Sequence, residues 1–442
     1  MTEPEGGKNP VDMALEAFVD PRGRTDIRFG LDRIKDAMRQ LGDPQDKIPP
    51  AIHIAGTNGK GSTAAFIRSI AEASGLSAHV FTSPHLIRVN ERIRVAGRLV
   101  EDEELIYALE RVADTGVDLT YFEALTAAAF LIYSQIKADI SIIEVGAGGE
   151  LDSTNIMRSP VACVITSIAR DHEQMFGVRG VGPIAKVKAG IMRKHVPVII
   201  GPQDSPEAED VLFKQSYEIG ADAWLYGRDY KARWNDFAFE YVDGEGRIRS
   251  PWLGLVGKHQ LANAATACAA LRSFMPQLPR GSIAAGLREA VWPARLQRLK
   301  DGPVTKQLKA AVVVDGAHNP QAAAKLALEL DHVTQEHGEK PAVLMAMQAN
   351  KDAELIMAEI APKAGLIVTT ALPSSGGQEG GVGADPKMLA DIARAQGAEA
   401  IDTALVDEAL SVLSKRPLKH VYVCGSLYLA GNILVRNEEQ VA

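Results

Sequence analysis

Aromatic residues are scarce, with Phe, Tyr and Trp making up 5% of the 442 positions, and there are only three cysteines. Cys163, Cys268 and Cys424 lie far apart in the apolar runs VACVIT, TACAA and VYVCGS. That spacing excludes a disulfide or cysteine–metal framework and reads as small hydrophobes in core elements. An excess of positive charge is also missing. With 48 Lys and Arg against 56 Asp and Glu, the net charge is −8, so the chain has no general attraction for nucleic acid or anionic lipid. No apolar stretch is long enough to span a bilayer, and the amino terminus MTEPEGGKNP lacks a basic region followed by an apolar one. A cytoplasmic protein with no nucleic-acid or membrane partner is the expectation.

Hydrophobic residues at 46% and charged residues at 24% are ordinary for a globular enzyme with a sizeable core, and 442 residues exceed what one core supports. Two domains are expected. Apolar, β-branched runs at Ile52–Ile54, Ile140–Val145, Val161–Ile168 and Val196–Ile200 alternate with helical patterns, which predicts βαβ units and a mainly parallel sheet. Between Trp224 and Trp252 the texture changes to aromatic residues and Gly-containing turns, read as antiparallel hairpins forming a small β subdomain. After Trp292-Pro293-Ala294-Arg295 the α/β rhythm restarts at Ala311–Asp315, Val343–Met347, Leu366–Thr370 and His420–Cys424. The boundary is placed near Leu299, giving domains 1–298 and 299–442. The run Ser374–Gly381 reads as a mobile surface loop.

The segment Gly56-Thr57-Asn58-Gly59-Lys60-Gly61-Ser62 follows a predicted strand and precedes a predicted helix, Thr63–Ser74, with Gly75 as its stop. Its glycines let backbone N–H groups turn toward phosphate oxygens, the helix start adds positive dipole, and Lys60 supplies a point charge. Against G-x-x-x-x-G-K-[ST], however, Ile54 takes the first glycine position and Gly61 separates Lys60 from Ser62. The hydroxyl that usually holds Mg²⁺ is therefore displaced, and another ligand is needed. Glu144 ends an apolar strand just before Gly146, Gly148 and Gly149; it is either that ligand or a carboxylate bonded to nearby N–H groups. Asp152 and Asn155 are weaker candidates. His172 also follows a strand, while Ser83 before Pro84, whose hydroxyl could face the same crevice, reads on residues alone as part of a turn. Lys188, on residues alone, reads as an exposed helical lysine.

The segments HIAGTNGKGST (53–63), FTSPHL (81–86), EVGAGG with LDSTN (144–155), DH (171–172), KAGI (188–191), GKHQLANAATA (257–267), DGAHNP (315–320) and GSLYLAG (425–431) together resemble the folate branch of the Mur ligase family, the folylpolyglutamate and dihydrofolate synthases. The likeness spans nearly the whole chain. It implies an amino-terminal P-loop mononucleotide-binding parallel sheet with a small antiparallel β subdomain, followed by a Rossmann-like carboxy-terminal α/β domain. It also implies a reaction. A substrate carboxylate attacks the γ-phosphate of ATP, and the amino group of L-glutamate then displaces phosphate from the acyl phosphate.

By this resemblance the ATP site comprises Thr57, Asn58, Gly59, Lys60, Gly61, Ser62, Gln260, Asn263, Arg295 and Asp315. Ser83, Glu144 and His172 are implied to hold one Mg²⁺, with a second bound through a carbamylated Lys188. Lys60, Lys188 and His318 are the implied catalytic residues; His318, Ser426 and Phe122 are the implied substrate contacts. Arg28–Asp32 and Thr120–Glu123 look like bacterial forms with both synthase activities, and the resemblance implies a monomer using folate or dihydropteroate, L-glutamate and ATP. Glu150 stands where relatives commonly carry arginine, and Ala294 where they carry glycine. The competing expectations are a Mur-type ligase for another carboxylate and an ATP-binding module without ligase activity.

Overall fold

The computed structural model describes residues 10–18, 28–171, 173–373 and 382–440. His172 and Ser374–Gly381 therefore lie outside the described residues. The chain divides into two compact units, Met1–His85 with Val89–Trp292, and Leu86–Arg88 with Pro293–Ala442.

The first unit is built on an eight-stranded sheet. Its strands are β1 (Ala51–Ala55), β2 (Ala78–Phe81), β3 (Ile93–Val95), β4 (Arg98–Leu99), β5 (Ile140–Glu144), β6 (Ala162–Ile165), β7 (Pro197–Ile200) and β8 (Asp222–Leu225), in the spatial order β4-β3-β2-β5-β1-β6-β7-β8. Only β3 and β4 pair antiparallel. β1, β2, β5 and β6 are buried along their whole length, as strands covered by helices on both faces must be. That is why their sequences are continuous apolar runs instead of alternating ones. Central β1 pairs Ile54 with Glu144 on β5 and with Val164 on β6, so the chain leaving β1 emerges between two strands that arrive much later in sequence. In open parallel sheets such reversals of strand order are where ligands bind.

The helix Lys60–Ala73 leaves β1 through the Gly-rich loop and packs with the alanine-rich helix Gln260–Arg272 in a core containing Ile52, Ile54, Phe66, Ile70 and Leu271. On the other face, helix Tyr121–Gln135 starts with a capping box, Thr120 accepting from the Glu123 N–H while Glu123 accepts from the Thr120 N–H. The Tyr133 hydroxyl donates to the Val80 carbonyl at 2.7 Å, which satisfies its one buried polar atom.

The predicted hairpins are present as β9 (Tyr230–Asn235), β10 (Ala238–Asp243) and β11 (Gly246–Ser250), an antiparallel three-stranded sheet. Trp224 does not belong to it. It lies in β8, parallel to β7, because Ala223 and Trp224 continue the βαβ alternation before the turn at Gly227. The buried pair Arg272–Asp243 ties this small sheet to helix Gln260–Arg272, with Nε to Oδ2 at 2.5 Å.

The second unit has β12 (Gln297–Arg298), β13 (Ala311–Val314), β14 (Ala342–Met345), β15 (Leu366–Thr369), β16 (Ala400–Asp402) and β17 (His420–Cys424) in the order β12-β13-β17-β14-β15-β16. All pairs are parallel except β12–β13. Asn319 caps helix Pro320–His337 after β13, and Ser426 caps helix Leu427–Arg436 after β17.

Candidate active site

Two clusters of the expected residues form, one in each unit. In the first unit the loop after β1 crosses the carboxyl ends of β5 and β6. Thr57 and Asn58 both donate their N–H to the Ser167 carbonyl, at 2.9 and 3.1 Å, and the Thr57 hydroxyl bonds to Ala169. Those two amides are spent on fixing the loop. The N–H groups of Lys60, Gly61 and Ser62 open the following helix and have no intrahelical acceptor, so they are the donors such a loop presents to an anion.

Glycine is required twice here. Gly56 has φ +149°, and a Cβ on it would lie 1.8 Å from Thr166 Oγ1; Gly59 has φ +91°, and its Cβ would lie 2.4 Å from Asn263 Oδ1. Asn263 donates to Gln260 Oε1 at 2.8 Å, and Gln260 donates to Ser62 Oγ at 3.3 Å. Helix Gln260–Arg272 is thereby fastened to the loop. Trp292, whose ring a Cβ on Gly61 would meet at 2.9 Å, covers the loop from another side.

Lys60 Nζ lies 3.7 Å from Glu144 Oε1, with both side chains largely removed from water. A lysine and a carboxylate thus meet at the strand ends beneath the loop. Ser83 is two residues beyond Phe81, which pairs with Ile143 on β5, so its hydroxyl belongs to the strand end next to that of Glu144. Among the described residues no group of three or more His, Cys, Asp or Glu side chains could hold a metal. One buried carboxylate with a neighbouring hydroxyl nevertheless suits Mg²⁺, which keeps several waters and takes one or two carboxylates plus substrate phosphates.

The expectation of an exposed lysine at 188 fails: Lys188 is 5% exposed, and its Nζ donates to the Gly56 carbonyl at 2.9 Å. Burial first, then the like charge of Lys60, lowers its pKa to about 7, with Asp171 and Asp152 opposing. Its helix, Val181–Ala189, ends against the Gly-rich loop after β5, where Glu150 donates its N–H to the Val187 carbonyl. Nothing in the local sequence pattern announced this burial; the small residues Gly149 and Gly190, which allow the two segments to touch, were the available signal.

Sequence reasoning also missed His53. Its Nε2 lies 2.8 Å from Thr154 Oγ1, which donates in turn to Asp152 Oδ1, while Asp152 Oδ2 accepts the Ala147 N–H. Because Thr154 gives its proton to the carboxylate, His53 must donate from Nε2 and is the neutral tautomer. Burial, aided by Arg193, pushes its pKa down to about 3. The relay braces the loop 146–149 against β1. Asp152 and Asn155 are spent on such bracing, Asn155 donating to the carbonyls of Glu150 and Gly190. Phe122 packs its ring on Gly146, where a Cβ would be 2.4 Å away, and lies 5.7 Å from Phe81. Phe176, 5.7 Å from Phe29, flanks Gly148 in the same way.

In the second unit, Asp315 ends β13 and accepts the N–H groups of Leu296 and Ala317, both at 2.8 Å. His318 donates Nδ1–H to the Gly316 carbonyl at 2.7 Å, which fixes the orientation of its ring. Gly425 donates to the Ala317 carbonyl, and a Cβ on Gly316 would collide with Leu427 and Arg295, so the DGAHNP and GSLYLAG loops lie side by side at the ends of β13 and β17. Arg295, Asp315, His318 and Ser426 are thus gathered at one end of one sheet. Ala294 beside them has φ +53°, a backbone that glycine adopts more readily.

Comparison with known proteins bears directly on these two clusters. The Mur ligase middle domain family matches residues 54–271, and the dihydrofolate synthetase C-terminal domain family matches residues 298–436. A folylpolyglutamate synthase of Lacticaseibacillus casei is 32% identical over 424 residues, covering 91% of this chain and 92% of the relative. The chain belongs to the folylpolyglutamate synthase and dihydrofolate synthase family. Among solved structures of this synthase family, Escherichia coli FolC in complex with DHPP and ADP superposes with a TM-score of 0.85 at 28% identity, covering 97% of both chains. A bifunctional folylpolyglutamate synthase/dihydrofolate synthase with Mn, AMPPNP and L-glutamate bound gives 0.80 at 29% identity, covering 93% of this chain and 95% of that one. The two-domain α/β plan expected from the sequence is the plan of these synthases. No helix among the described residues is long and apolar enough to cross a membrane.

Proposed function

We propose that this chain is an ATP-dependent ligase that adds L-glutamate to dihydropteroate, to the glutamate tail of tetrahydrofolate, or to both, releasing ADP and phosphate. The observation that carries the reading is the buried Glu144 carboxylate 3.7 Å from Lys60, under a phosphate-type loop, in a chain that matches a synthase over nine-tenths of its length. Lys60 and the amides of Gly61 and Ser62 hold the transferring phosphoryl group, with Thr57, Asn58 and Gly59 shaping the loop and Gln260 and Asn263 bordering the nucleotide. Arg295 and Asp315 complete the nucleotide contacts. The acceptor carboxylate attacks the γ-phosphorus, the bond to ADP breaks, and the glutamate amine then attacks the acyl phosphate, expelling phosphate and giving up a proton for which His318 is the proposed base. Ser426 and Phe122 orient the substrates, Phe122 offering a ring face to a flat acceptor.

Glu144, Ser83 and His172 are the residues that would hold a divalent ion, which would supply charge neutralisation to the phosphates. Lys188 is a carbamate in this reading. The ammonium gives up one proton, the neutral amine attacks the carbon of CO₂ and a second proton leaves, so a cation becomes an anion that would be able to hold a second ion; a pKa near 7 makes the required neutral amine abundant at physiological pH. Residues 1–298 carry the ATP half of the chemistry and 299–442 the glutamate half. The enzyme works in the cytoplasm as a monomer, with a single species of chain mass in sedimentation as the measurement.

Purified protein should release phosphate only with ATP, Mg²⁺, glutamate and a pteroyl acceptor together. Dihydropteroate and tetrahydrofolate, assayed separately, divide the two activities. Silence with both would sink the assignment, and phosphate release that never needs glutamate would point to an ATP-driven switch. Lys188→Ala should lose activity and regain part of it with added short carboxylates; no rescue would count against the carbamate.

A further inference from the structure

At the opposite end of the second unit's sheet from Asp315 and Ser426, the starts of β13 and β17 border an open cavity of about 610 Å³. Its rim carries Arg298, Lys300, Lys306, Lys309 and Lys419, with Asp301 in the lining and the Glu439 carboxylate accepting the Lys300 N–H at 2.7 Å. Five cations around one bowl stand out in a chain of net charge −8. Lys419 has a loose contact with Glu339 at 3.6 Å, whereas Arg298, Lys300, Lys306 and Lys309 form no ion pair among the described residues.

The rim is fixed in place. Buried Asn437 accepts the N–H groups of Val304 and Thr305 through Oδ1 and donates to the Lys300 carbonyl, holding residues 300–305 to the end of helix Leu427–Arg436. Lys309 sits at φ +51°, ψ 35° at the end of helix Pro303–Leu308, a left-handed conformation that glycine or asparagine adopts more readily.

We infer that this cavity is an anion site for a flexible oligo-carboxylate, the γ-linked glutamyl chain of the proposed reaction's long-tailed product, held away from the end that is extended. The inference rests on that reading for the identity of its ligand. The lining itself favours such a chain. Leu299, Ala310, Ala311 and Leu418 give an apolar floor for the methylenes of glutamyl side chains, while separate lysine point charges suit carboxylates spaced along a chain. A polyphosphate has no apolar part to place on that floor, and no aromatic ring lines the cavity to stack a base.

The test is calorimetric titration of the full chain with free penta-γ-L-glutamate, with tripolyphosphate as the competing polyanion. Wild type should bind the peptide in a salt-sensitive manner, and Lys306→Glu/Lys309→Glu should weaken it by about tenfold or more. Lys309→Gly removes one charge while easing the backbone, so it keeps the fold and should weaken binding about threefold. Turnover on an acceptor with a single glutamate should be unchanged in both variants. Equal peptide binding by wild type and variants, or binding of tripolyphosphate without the peptide, overturns the inference. Peptide binding that depends on these lysines in a protein with no glutamate-dependent turnover supports the site and overturns the ligase reading instead.

Discussion

Replacing Gly56 with alanine should damage both the stability of the first unit and its nucleotide chemistry, and the structure sets the size of the effect. At φ +149° an alanine methyl would arrive 1.8 Å from Thr166 Oγ1, 3.0 Å from Thr166 Cβ and 3.2 Å from Thr166 N. A rotamer change can remove the first contact, but Thr166 is 3% exposed immediately after β6, the strand next to β1, so the other two require the strand ends to part. Unfavourable φ costs ~1–2 kcal/mol and overpacking a further ~1–3 kcal/mol, for a total of about 2–5 kcal/mol. That is a large share of an ordinary domain's stability. Gly56 also accepts the Lys188 amine through its carbonyl, so the displacement should lower kcat, a misplacement near 1 Å being worth about 100-fold. Urea unfolding with and without ATP reads the first effect and steady-state turnover the second. Thr166→Ala should be mildly destabilising alone yet recover about 1–2 kcal/mol in the double variant, because it removes the closest atom. An unchanged urea midpoint in Gly56→Ala, or strict additivity in the double variant, would refute the reasoning.

Lys60→Met should cut kcat by about 100–1000-fold in the folded protein, and because it takes the cation away from the buried Glu144 carboxylate it should also lower the urea midpoint; a kcat within a few-fold of wild type would exclude it from phosphoryl transfer. Asp243→Ala strands a buried guanidinium and should cost ~3–5 kcal/mol with ATP affinity retained in the folded protein, measured by denaturation and nucleotide titration. His53 gives a pH signature. Its folded pKa of about 3 lies below the unfolded value of 6.5, so between those limits the unfolded chain holds the extra proton and stability falls as pH falls, by up to ~1.4 kcal/mol per unit, with no contribution above pH 6.5. His53→Gln, which keeps a donor toward Thr154, should flatten that slope; identical slopes from pH 6.5 to 4 would count against the buried neutral histidine.

The parallel core was legible because burial on both faces forces continuous apolar runs, and the runs at Ile52–Ile54, Ile140–Val145 and Val196–Ile200 coincide with β1, β5 and β7. The helix after the loop was legible from its good helix formers and the glycine that follows it. Short strands at and beside the sheet edges were not: β3, β4 and β16 have two or three residues each, too few to display a period. Trp224 misled because aromatic content at a sheet edge looks the same in parallel and antiparallel pairing. At the site, the loop itself was visible, but its neighbours were not. Thr166, Trp292 and His53 act through contacts between residues more than a hundred positions apart, and single-chain periodicity carries no trace of them. Lys188 shows the same limit, since a lysine in a short helix reads as solvated until the segment that covers it is in place.

The strand order places a demand on the timing of synthesis. β1 is made early, yet its neighbours are β5 and β6, whose partners for Ala51 and Ile52 are Ser141 and Ala162. At roughly 5–20 residues per second, some 5–20 s pass before the first of them leaves the ribosome. During that interval β1 is an apolar strand with two open edges, the kind of segment that pairs with the wrong partner. The nucleotide loop attached to it has no platform until β6 arrives, because Ser167 and Ala169 are what anchor Thr57 and Asn58. A nascent or truncated chain ending before β6 is therefore blind to ATP, and nucleotide can stabilise the growing protein only after well over a third of it exists.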